Sequence, residues 1–541
     1  MNKWYKKAIV YQIYPMTFKD SNHDGIGDLK GIIEKIPYLK ELGINAIWLS
    51  PIYPSPMNDN GYDIADYKAI NPMFGDMNDF DELIKILHQN GIKLIMDLVV
   101  NHTSSLHYWF QEAIKNKESK YHNYYIFRDK PNNWTSFFGG SAWCYNIDTN
   151  DYYLHLFDKS QPDLNWENND VREEIKDILR YWLDKGVDGF RCDVINLISK
   201  EEGLPDGNED SLFIGIEHYA NGKKLHSYLR ELYEDVFKYY DAYTIGECGM
   251  LSIEEALKLT NQELDMVFNF EHFSVDSINS KWNIKSFKFS EFKAIFNKWQ
   301  EYYNKYNFWN SLLLENHDQP RSASRYTNKD YLFESLTMLK TYVYLQCGTP
   351  YIYQGEEIGM MNYPFKSIDD FQDVESINYY NENKDKIDNK DLIKRMSYIS
   401  RDNARSVMQW DNTYNSGFSD VSTNLLVNPN YLSLNVLNDL KSDKSIYKYF
   451  QKLLRLRKDY DVLIKGLFKD LDPLNDDLFI YKRYNIKYAI YVIGNNQATK
   501  KKIPLPFKKY QLLLSNYEVD SEEFYPYQVK VYLVKEEEHD H

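Results

Sequence analysis

The sequence predicts an α/β fold: a closed (β/α)8 TIM barrel with a subdomain inserted after the third strand and an antiparallel β domain at the C-terminus. Three observations predict it. Short runs rich in β-branched and aromatic residues alternate with segments of helical period, one connection is far too long for a helix and its turns, and polar–apolar alternation sets in near the C-terminus. The 541 residues also exceed the roughly 250–300 at which one hydrophobic core stops growing.

Eight short runs are the predicted barrel strands. They are rich in β-branched and aromatic residues and lie at 9–15, 46–50, 93–100, 189–194, 243–247, 266–270, 311–317 and 350–357. Because helical segments separate them, each strand can pair in parallel with the next. Eight such units favour a closed barrel over an open doubly wound sheet.

The helix predictions rest on apolar stripes with capping residues at both ends. In the segment 170–186, Asp170 is the predicted N-cap and Gly186 the residue after the last turn. The apolar stripe of this segment consists of Val171, Ile175, Ile178, Leu179, Trp182 and Leu183. Similar helical patterns recur at residues 28–43, 79–91 and 445–458.

The same patterns divide the chain into parts. Residues 1–102 are the predicted first part of the barrel and 170–460 the second, separated by an aromatic-rich inserted subdomain at 103–169. That subdomain would overhang the C-terminal face of the barrel. Alternation at 477–494 predicts a C-terminal β-sandwich over 461–541, ending in the solvated tail KEEEHDH.

The composition excludes several classes of function. A formal net charge of −16 disfavours nucleic acid and anionic membranes, which need clustered Lys and Arg. No run approaches the ~20 apolar residues of a membrane span, and the N-terminus lacks the apolar core of a signal peptide. Four widely spaced cysteines argue against a zinc site or a disulfide scaffold. We therefore expect a soluble, cytoplasmic, monomeric protein without an organic cofactor that binds a small neutral or cationic ligand.

Polar side chains gather where the predicted strands end. They are Asp97, Asn101, His102, Arg191, Asp193, Glu247, His317 and Asp318. In a closed barrel the carboxyl ends of the strands meet at one face, where catalytic residues lie. Carboxylates from three strands would therefore converge on one cleft, whereas a single Asp in so acidic a chain is most often a solvated surface group.

Convergent carboxylates suit the hydrolysis of a glycosidic bond, in which one carboxyl group protonates the leaving oxygen and a second attacks the anomeric carbon. Strand alternation places Arg191 and Asp193 on the same face, so we expect the guanidinium to keep Asp193 ionised as the nucleophile. Glu247 lies in the apolar sequence YTIGEC and is expected to stay protonated as the general acid.

Five segments resemble sequence regions of a known family. Those of the α-amylase superfamily, glycoside hydrolase family 13, are similar to DLVVNH at 97–102, GFRCDVIN at 189–196, TIGE at 244–247 and ENHDQPR at 315–321. QPDLNW at 161–166 resembles a region of its oligo-1,6-glucosidase and α-glucosidase subgroup. The resemblance extends over nearly the whole chain and implies a retaining α-glycosidase.

The resemblance implies roles for particular residues. Asp193 is implied as the nucleophile, Glu247 as the acid/base and Asp318 as a third carboxylate that binds sugar hydroxyls and favours a distorted ring. The implied sugar-binding residues are Asp59, Tyr62, His102, Phe138, Arg191, His317 and Arg405. Within RDNARSVMQW, Arg405 is favoured over Arg401.

Val194 bears on the linkage that is cleaved. Alternation alone points its side chain away from Asp193, into the core between barrel and helices. In the resemblance, however, α-1,6-specific members have Val after the nucleophile, whereas α-1,4-specific members have Thr or Ala. The sequence thus predicts that Val194 contacts substrate in an exo-acting oligo-1,6-glucosidase, which cleaves isomalto-oligosaccharides from the non-reducing end.

Four other functions are weighed against this one. A trehalose-6-phosphate hydrolase shares QPDLNW and the valine in this resemblance. An α-1,4-glucosidase stays open because RSVMQW and TNLLVNPNY depart from the family's usual sequences near the substrate mouth. A sucrose isomerase is disfavoured, since its RLDRD motif is absent and residues 324–330 read SRYTNKD. A non-enzymatic transporter heavy chain is disfavoured because it lacks the catalytic carboxylates.

The loop after the first strand, DSNHDGIGD, predicts a metal site. Oxygen ligands would come from the side chains of Asp20, Asn22, Asp24 and Asp28 and from the backbone carbonyl of Ile26. Oxygens that alternate around a turn glycine wrap a hard cation, although no bidentate Glu follows at the twelfth position. A loop of Asx turns is the alternative. Because the resembling subgroup carries such a site, we expect structural Ca²⁺.

Overall fold

The computed structural model describes residues 3–519 and 521–535. Its strands in chain order are β1 (Val10–Ile13), β2 (Ala46–Leu49), β3 (Lys93–Leu98), β4 (Phe127–Arg128), β5 (Trp143–Asn146), β6 (Asp151–Leu154), β7 (Gly189–Cys192), β8 (Tyr243–Gly246), β9 (Met266–Val267), β10 (Ser277–Ile278), β11 (Ser280–Ile284), β12 (Ser311–Leu312), β13 (Thr349–Tyr353), β14 (Leu467–Asp470), β15 (Leu478–Tyr484), β16 (Tyr488–Asn495), β17 (Lys501–Lys502), β18 (Gln511–Ser515), β19 (Glu523–Phe524) and β20 (Val529–Lys535).

The α-helices are α1 (Leu29–Leu42), α2 (Met77–Gln89), α3 (Tyr108–Ala113), α4 (Asn169–Asp184), α5 (Leu225–Asp235), α6 (Ile253–Leu259), α7 (Phe289–Tyr306), α8 (Ser322–Arg325), α9 (Leu332–Tyr344), α10 (Val374–Asn383), α11 (Asn389–Ile399), α12 (Val436–Lys441), α13 (Ile446–Asp459) and α14 (Val462–Lys465). None of these described helices is long and apolar enough to cross a membrane.

Eight strands form one parallel sheet that curves into a barrel. Their spatial order is β12–β13–β1–β2–β3–β7–β8–β9, and every neighbouring pair runs parallel. Between the two ends of this order, the backbone N–H of Asn269, just after β9, donates to Ser311 Oγ in β12 at 3.0 Å. The predicted (β/α)8 barrel is confirmed.

All eight predicted strands are present, but each is shorter than predicted, and β9 and β12 are the shortest. β9 and β12 each end after two residues instead of continuing through 266–270 and 311–317. Asparagine side chains turn the backbone soon afterwards: Asn269 Oδ1 accepts from the N–H of Glu271 at 3.1 Å, and Asn316 Oδ1 accepts from that of Asp318 at 2.8 Å. These turns begin two residues beyond β9 and four residues beyond β12.

Helix α4 has the predicted apolar stripe, and Gly186 follows its last turn with a φ of +100°. Its predicted N-cap, Asp170, is wrong. The cap is Asn168, whose side-chain oxygen accepts from the Asp170 N–H at 2.9 Å. Asp170 lies inside the first turn. Its negative charge interacts favourably with the partial positive charge of the helix N-terminus, but its side chain is not the N-cap.

Between β3 and β7 the chain builds an insertion over the barrel. Strands β4, β6 and β5 form a small antiparallel sheet. Trp134 of the insertion packs in one buried cluster with Leu197 and Tyr219, which follow β7. A bridge between His102 and Asp163 links the insertion to the chain just after β3. The insertion therefore lies over the carboxyl ends of β3 and β7.

An antiparallel sheet in the order β14–β15–β16–β20–β18 follows the barrel, and β17 pairs with β19. Buried and half-buried residues alternate along β15, as the sequence predicts. The buried guanidinium of Arg483 donates to the carbonyls of Leu345, Leu463 and Gly466, which ties this sheet to the barrel. Apart from Lys535, the predicted tail lies outside the described residues.

Candidate active site

The predicted catalytic residues lie at the carboxyl ends of adjacent barrel strands. Asp97 of β3 is in register with Arg191 of β7, which in turn is in register with Ile245 of β8. Asp193 comes just after β7, and Glu247 directly follows β8. Three neighbouring strands thus deliver three carboxylates and one guanidinium to the same edge of the barrel.

Arg191 connects these carboxylates. Its Nη1 donates to Asp97 Oδ1 at 2.8 Å and to Asp193 Oδ1 at 2.7 Å, and its Nη2 donates to Glu247 Oε2 at 2.5 Å. The side chain is 1% exposed, and its guanidinium carbon lies 5.1 Å from the centre of the Trp48 ring. A single buried cation therefore binds three carboxylates, with short charge-assisted hydrogen bonds.

Burial raises the pKa of Asp193 well above its ordinary value; the Arg191 guanidinium opposes this shift, and the negative charges of Glu247 and Asp97 add to it. Because Arg191 is shared among three carboxylates, its positive charge does not act on Asp193 alone. That Arg191 keeps Asp193 ionised as the nucleophile stays a prediction.

Glu247 is not in the apolar environment that YTIGEC predicts. Its Oε2 accepts from Arg191 and, at 3.3 Å, from the backbone N–H of Val194. The Glu247 side chain is 19% exposed, compared with 9% for Asp193. Glu247 therefore lies nearer to solvent than Asp193.

Val194 lies outside the strand, with φ +36° and ψ +38°. This left-handed conformation is unfavourable for a β-branched residue, costs about 1–3 kcal/mol, and is often found at functional sites. The half-buried side chain packs against the apolar cluster that contains Leu197 and Tyr219. Strand alternation predicts that the Val194 side chain lies in the core between barrel and helices. That prediction is wrong, because β7 ends before Val194.

Tyr62 and His317 form an aromatic wall beside the carboxylates. Their rings stack with centres 5.2 Å apart and planes 9° apart. The Tyr62 hydroxyl donates to Asp97 Oδ2 at 3.0 Å. Burial lowers the pKa of His317 to about 3, so the imidazole is neutral, and its Nε2 lies 3.2 Å from Asp318 Oδ2. Through Tyr62 and His317, Asp97 is thus connected to Asp318, the third predicted carboxylate.

Asp318 is held by His317 and two arginines. Arg405 Nη2 donates to Asp318 Oδ1 at 2.9 Å, and Arg401 Nη1 lies 3.5 Å from the same oxygen. Burial by itself raises the pKa of Asp318, but His317 and the two arginines bring it well below its ordinary value. Asp318 is therefore ionised near neutral pH and can accept hydrogen bonds from sugar hydroxyls.

Arg401, less favoured than Arg405 from the sequence, has the wider contacts. Its Nη2 donates to Asp59 Oδ1 at 3.1 Å and to Asp373 Oδ1 at 2.5 Å, and Arg405 Nη1 donates to the same Asp373 oxygen at 3.2 Å. Burial raises the pKa of Asp373, but Arg401 and Arg405 lower it to about 2. Both arginines therefore reach Asp318 and share Asp373 as their counter-charge.

Asp59, His102 and Phe138 complete the predicted sugar-binding set. Gln161 Nε2 donates to Asp59 Oδ2 at 3.0 Å and lies 3.3 Å from His102 Nε2. The Arg401 guanidinium carbon lies 5.0 Å from the centre of the Phe138 ring. Burial raises the pKa of Asp59 to about 6. Gln161 thus contacts both Asp59 and His102, and Arg401 contacts both Asp59 and Phe138.

Sequence reasoning misses three residues that support this site. Asp373 lies in FQDVESINYY, and nothing in that sequence marks it as the partner of two arginines. Lys200 is a buried cation whose Nζ donates to Asn101 Oδ1 at 2.8 Å and lies 2.7 Å from Asp163 Oδ2. In the sequence, Lys200 directly follows the apolar run VINLIS, which could have indicated a buried cation. Gln161 is the first residue of QPDLNW, so the family resemblance could have indicated it.

The predicted metal-binding residues form hydrogen-bonded turns. Asp20 accepts the N–H groups of Asn22 and Gly25, Asp24 accepts that of Ile26, and the carboxylate of Asp28 caps α1. These oxygens have the chemistry that Ca²⁺ prefers. Within the described ranges, however, no group of three or more His, Cys, Asp or Glu side chains is placed to hold a metal. The Ca²⁺ site stays a prediction.

A parallel barrel that brings carboxylates from adjacent strand ends onto one buried arginine has the architecture of a glycoside hydrolase. A family model described as "Alpha amylase, catalytic domain" matches residues 12–466. The chain is 45% identical to an oligo-1,6-glucosidase of Parageobacillus thermoglucosidasius, over 98% of this chain and 99% of the relative. The chain belongs to the α-amylase family.

Two solved structures are similar over almost the whole chain. A trehalose-6-phosphate hydrolase of Bacillus licheniformis is 42% identical, with a TM-score of 0.92 over 99% of this chain and 100% of that one. An isomaltulose synthase of Protaminobacter rubrum is 37% identical, with a TM-score of 0.95 over 98% of this chain and 99% of that one.

Proposed function

We propose that the protein is a retaining, exo-acting α-glucosidase that hydrolyses the α-1,6-glucosidic bonds of isomalto-oligosaccharides from the non-reducing end. The observation that carries the proposal is the guanidinium of Arg191, which holds Asp193 and Glu247 on its two terminal nitrogens. Carboxyl groups bound to one guanidinium lie close together. Retaining glycosidases need a separation of about 5–5.5 Å, whereas inverting ones leave about 6.5–9.5 Å.

In this reaction Asp193 attacks the anomeric carbon while Glu247 gives its proton to the leaving glycosidic oxygen. The glycosidic bond breaks and a glucosyl ester of Asp193 forms. Glu247, now ionised, takes a proton from a water molecule, which attacks the anomeric carbon and releases Asp193. The guanidinium of Arg191 donates to both carboxyl groups and so holds them side by side for these two steps.

A buried ion pair beside Asp318 supports attack at a chain terminus. The side chains of Asp59 and Arg401 form this pair at 3.1 Å, with the Phe138 ring against the guanidinium. Arg401 Nη1 also lies 3.5 Å from Asp318 Oδ1, so the pair borders the third carboxylate. A terminal glucose would therefore bind here, with its hydroxyls near Asp318 and its glycosidic oxygen toward Glu247.

The α-1,6 linkage is supported by the relative named oligo-1,6-glucosidase and by the position of Val194. The backbone N–H of Val194 contacts Glu247, so this residue lies beside the acid that meets the leaving sugar. An apolar branched side chain suits an aglycone joined through a CH₂–O bridge, whereas a threonine hydroxyl could bind a secondary hydroxyl.

A trehalose-6-phosphate hydrolase is the second candidate, favoured by the similar solved structure of that name. Its substrate carries a phosphate, which binds best to cations that are free to contact it. Arg401 and Arg405 already pair with carboxylates, and Lys281 pairs with Glu375, which also contacts Arg401. These pairs favour a neutral sugar.

Three further proposals concern the setting of the enzyme. We infer that it acts as a monomer in the cytoplasm and that residues 20–28 bind structural Ca²⁺. All four cysteines lie in the described ranges and are free, as expected in a reducing compartment. The oxygen-bearing side chains of Asp20, Asn22, Asp24 and Asp28 are of the type that a hard cation prefers. Size-exclusion chromatography with light scattering gives the oligomeric state, and a dimer would contradict this part of the proposal.

A substrate panel tests the proposed function. Purified enzyme is incubated with isomaltose, isomaltotriose, maltose, sucrose and trehalose-6-phosphate, and kcat/KM is measured for each. The proposal predicts the highest value for an isomalto-oligosaccharide and glucose as the first product from isomaltotriose. The highest value for trehalose-6-phosphate would establish the second candidate, and conversion of sucrose into an isomer would contradict hydrolysis.

A further inference from the structure

The ring of His317 is held in place from several sides. Tyr62 stacks on it at 5.2 Å, Tyr14 lies nearly parallel with ring centres 6.3 Å apart, and the Trp48 ring meets it at an angle of 87°. These contacts fix the orientation of the imidazole. They do not decide which of its two nitrogens carries the proton.

A hydrogen bond at one ring nitrogen and a negative charge near the other decide this. His317 Nδ1 lies 2.7 Å from the amide nitrogen of Gln12, and His317 Nε2 lies 3.2 Å from Asp318 Oδ2. The amide nitrogen of Gln12 is a donor, so Nδ1 must accept. A neutral imidazole has one N–H, which is then on Nε2, where the negative charge of Asp318 favours it. Both contacts therefore favour the same tautomer.

The charges around His317 agree with a neutral ring. Burial lowers its pKa to about 3; Asp318 opposes this shift, and Arg191, Arg405 and Arg401 add to it. The Tyr14, Tyr62 and Trp48 rings that face the imidazole bring no charge near neutral pH, because burial raises the pKa of both tyrosines further above their ordinary value of 10. A doubly protonated His317 is therefore excluded at pH 7.

We propose that Gln12 is a positioning residue that holds His317 in the Nε2-protonated tautomer, so that the Nε2–H, beside Asp318, donates to a sugar hydroxyl bound there. The sugar in this statement rests on the proposed function, whereas the tautomer does not. Gln12 suits the role because it lies within β1, is 2% exposed, and has a second, longer contact to Ser50 Oγ at 3.4 Å. Partners of this kind fix the tautomer of functional histidines.

The tautomer can be measured without substrate. Enzyme labelled with ¹⁵N-histidine has 12 histidines, and the His317→Gln variant identifies the signals of His317. Two-bond ¹H–¹⁵N correlation spectra then show which ring nitrogen is protonated. The proposal predicts a protonated Nε2 and an unprotonated Nδ1 from pH 5 to pH 8. A protonated Nδ1 in this range would overturn it.

A pair of variants tests the role of Gln12. Gln12→Met has a similar length but no donor, so His317 should populate both tautomers, and kcat/KM for isomaltose should fall by about tenfold. Ser50→Ala is the matched control, because it removes the longer contact of Gln12 and leaves the His317 contact. It should keep the Nε2-protonated tautomer and a kcat/KM within about twofold of wild type.

The experiments separate the inference about Gln12 from the proposed function. A Gln12→Met protein that keeps only the Nε2-protonated tautomer and wild-type kcat/KM would overturn the inference. If Gln12→Met does not fold, the wild-type spectrum decides alone. A wild-type enzyme that cleaves no isomalto-oligosaccharide contradicts the proposed function, and the tautomer measurement still decides the inference about Gln12.

Discussion

Asp373 is the shared counter-charge of Arg401 and Arg405, and its substitution tests how these two arginines support the site. Asp373→Asn keeps the size of the side chain but removes the charge that faces Arg401 and Arg405. Because the pKa of Asp373 is about 2 instead of roughly 3.9, its ionised form contributes on the order of 2–3 kcal/mol to stability at neutral pH. This contribution is fully present above the unfolded pKa of about 3.9 and is lost as the pH falls toward 2.

The assay compares thermal melting and isomaltose hydrolysis at pH 7. We expect Tm to fall by about 5 °C, since each kcal/mol lowers the Tm of a large domain by about 2–4 °C. We expect kcat/KM to fall by at least about tenfold, because the same arginines hold Asp318. Asp369→Asn, on an exposed residue, is the control and should change neither. An Asp373→Asn enzyme with wild-type melting and activity would refute the reasoning.

Three further predictions follow from the site and the loop. Asp193→Asn and Glu247→Gln should each lose nearly all isomaltose hydrolysis while melting close to wild type, because they remove the nucleophile and the acid; near-wild-type turnover in either would contradict the assignment. Ca²⁺ should raise the Tm of EDTA-treated enzyme without changing kcat, and Asp24→Ala should abolish the shift; an unchanged melting curve would count against the metal site. Val194→Thr should raise the ratio of maltose to isomaltose kcat/KM by about tenfold, and an unchanged ratio would mean that Val194 only packs.

The barrel and the position of its site were predictable because they depend on short-range patterns. Strand period places Arg191 and Asp193 on one face, and parallel pairing then brings Asp97 and Glu247 to the same edge. The apolar stripe of α4 and Gly186 after its last turn likewise follow from local sequence. These features can be predicted without knowing which distant residues contact them.

Contacts between distant parts of the chain were not predictable. Asp373 is the shared partner of Arg401 and Arg405 only because a loop folds back over the site. The sharing of Arg191 among three carboxylates depends on side-chain geometry across strands. The left-handed backbone of Val194 depends on where β7 ends, which alternation does not show.

The anomeric form of the glucose first released from isomaltose, followed by ¹H NMR, shows directly whether Asp193 and Glu247 act as a nucleophile and acid/base pair. Attack by Asp193 and then by water inverts the anomeric carbon twice, so we expect α-glucose first, with β-glucose appearing later by mutarotation. The same spectra, recorded with isomaltose and maltose in competition, should show isomaltose consumed first. If β-glucose appears first, Asp193 and Glu247 do not act as a nucleophile and acid/base pair, and the account is wrong.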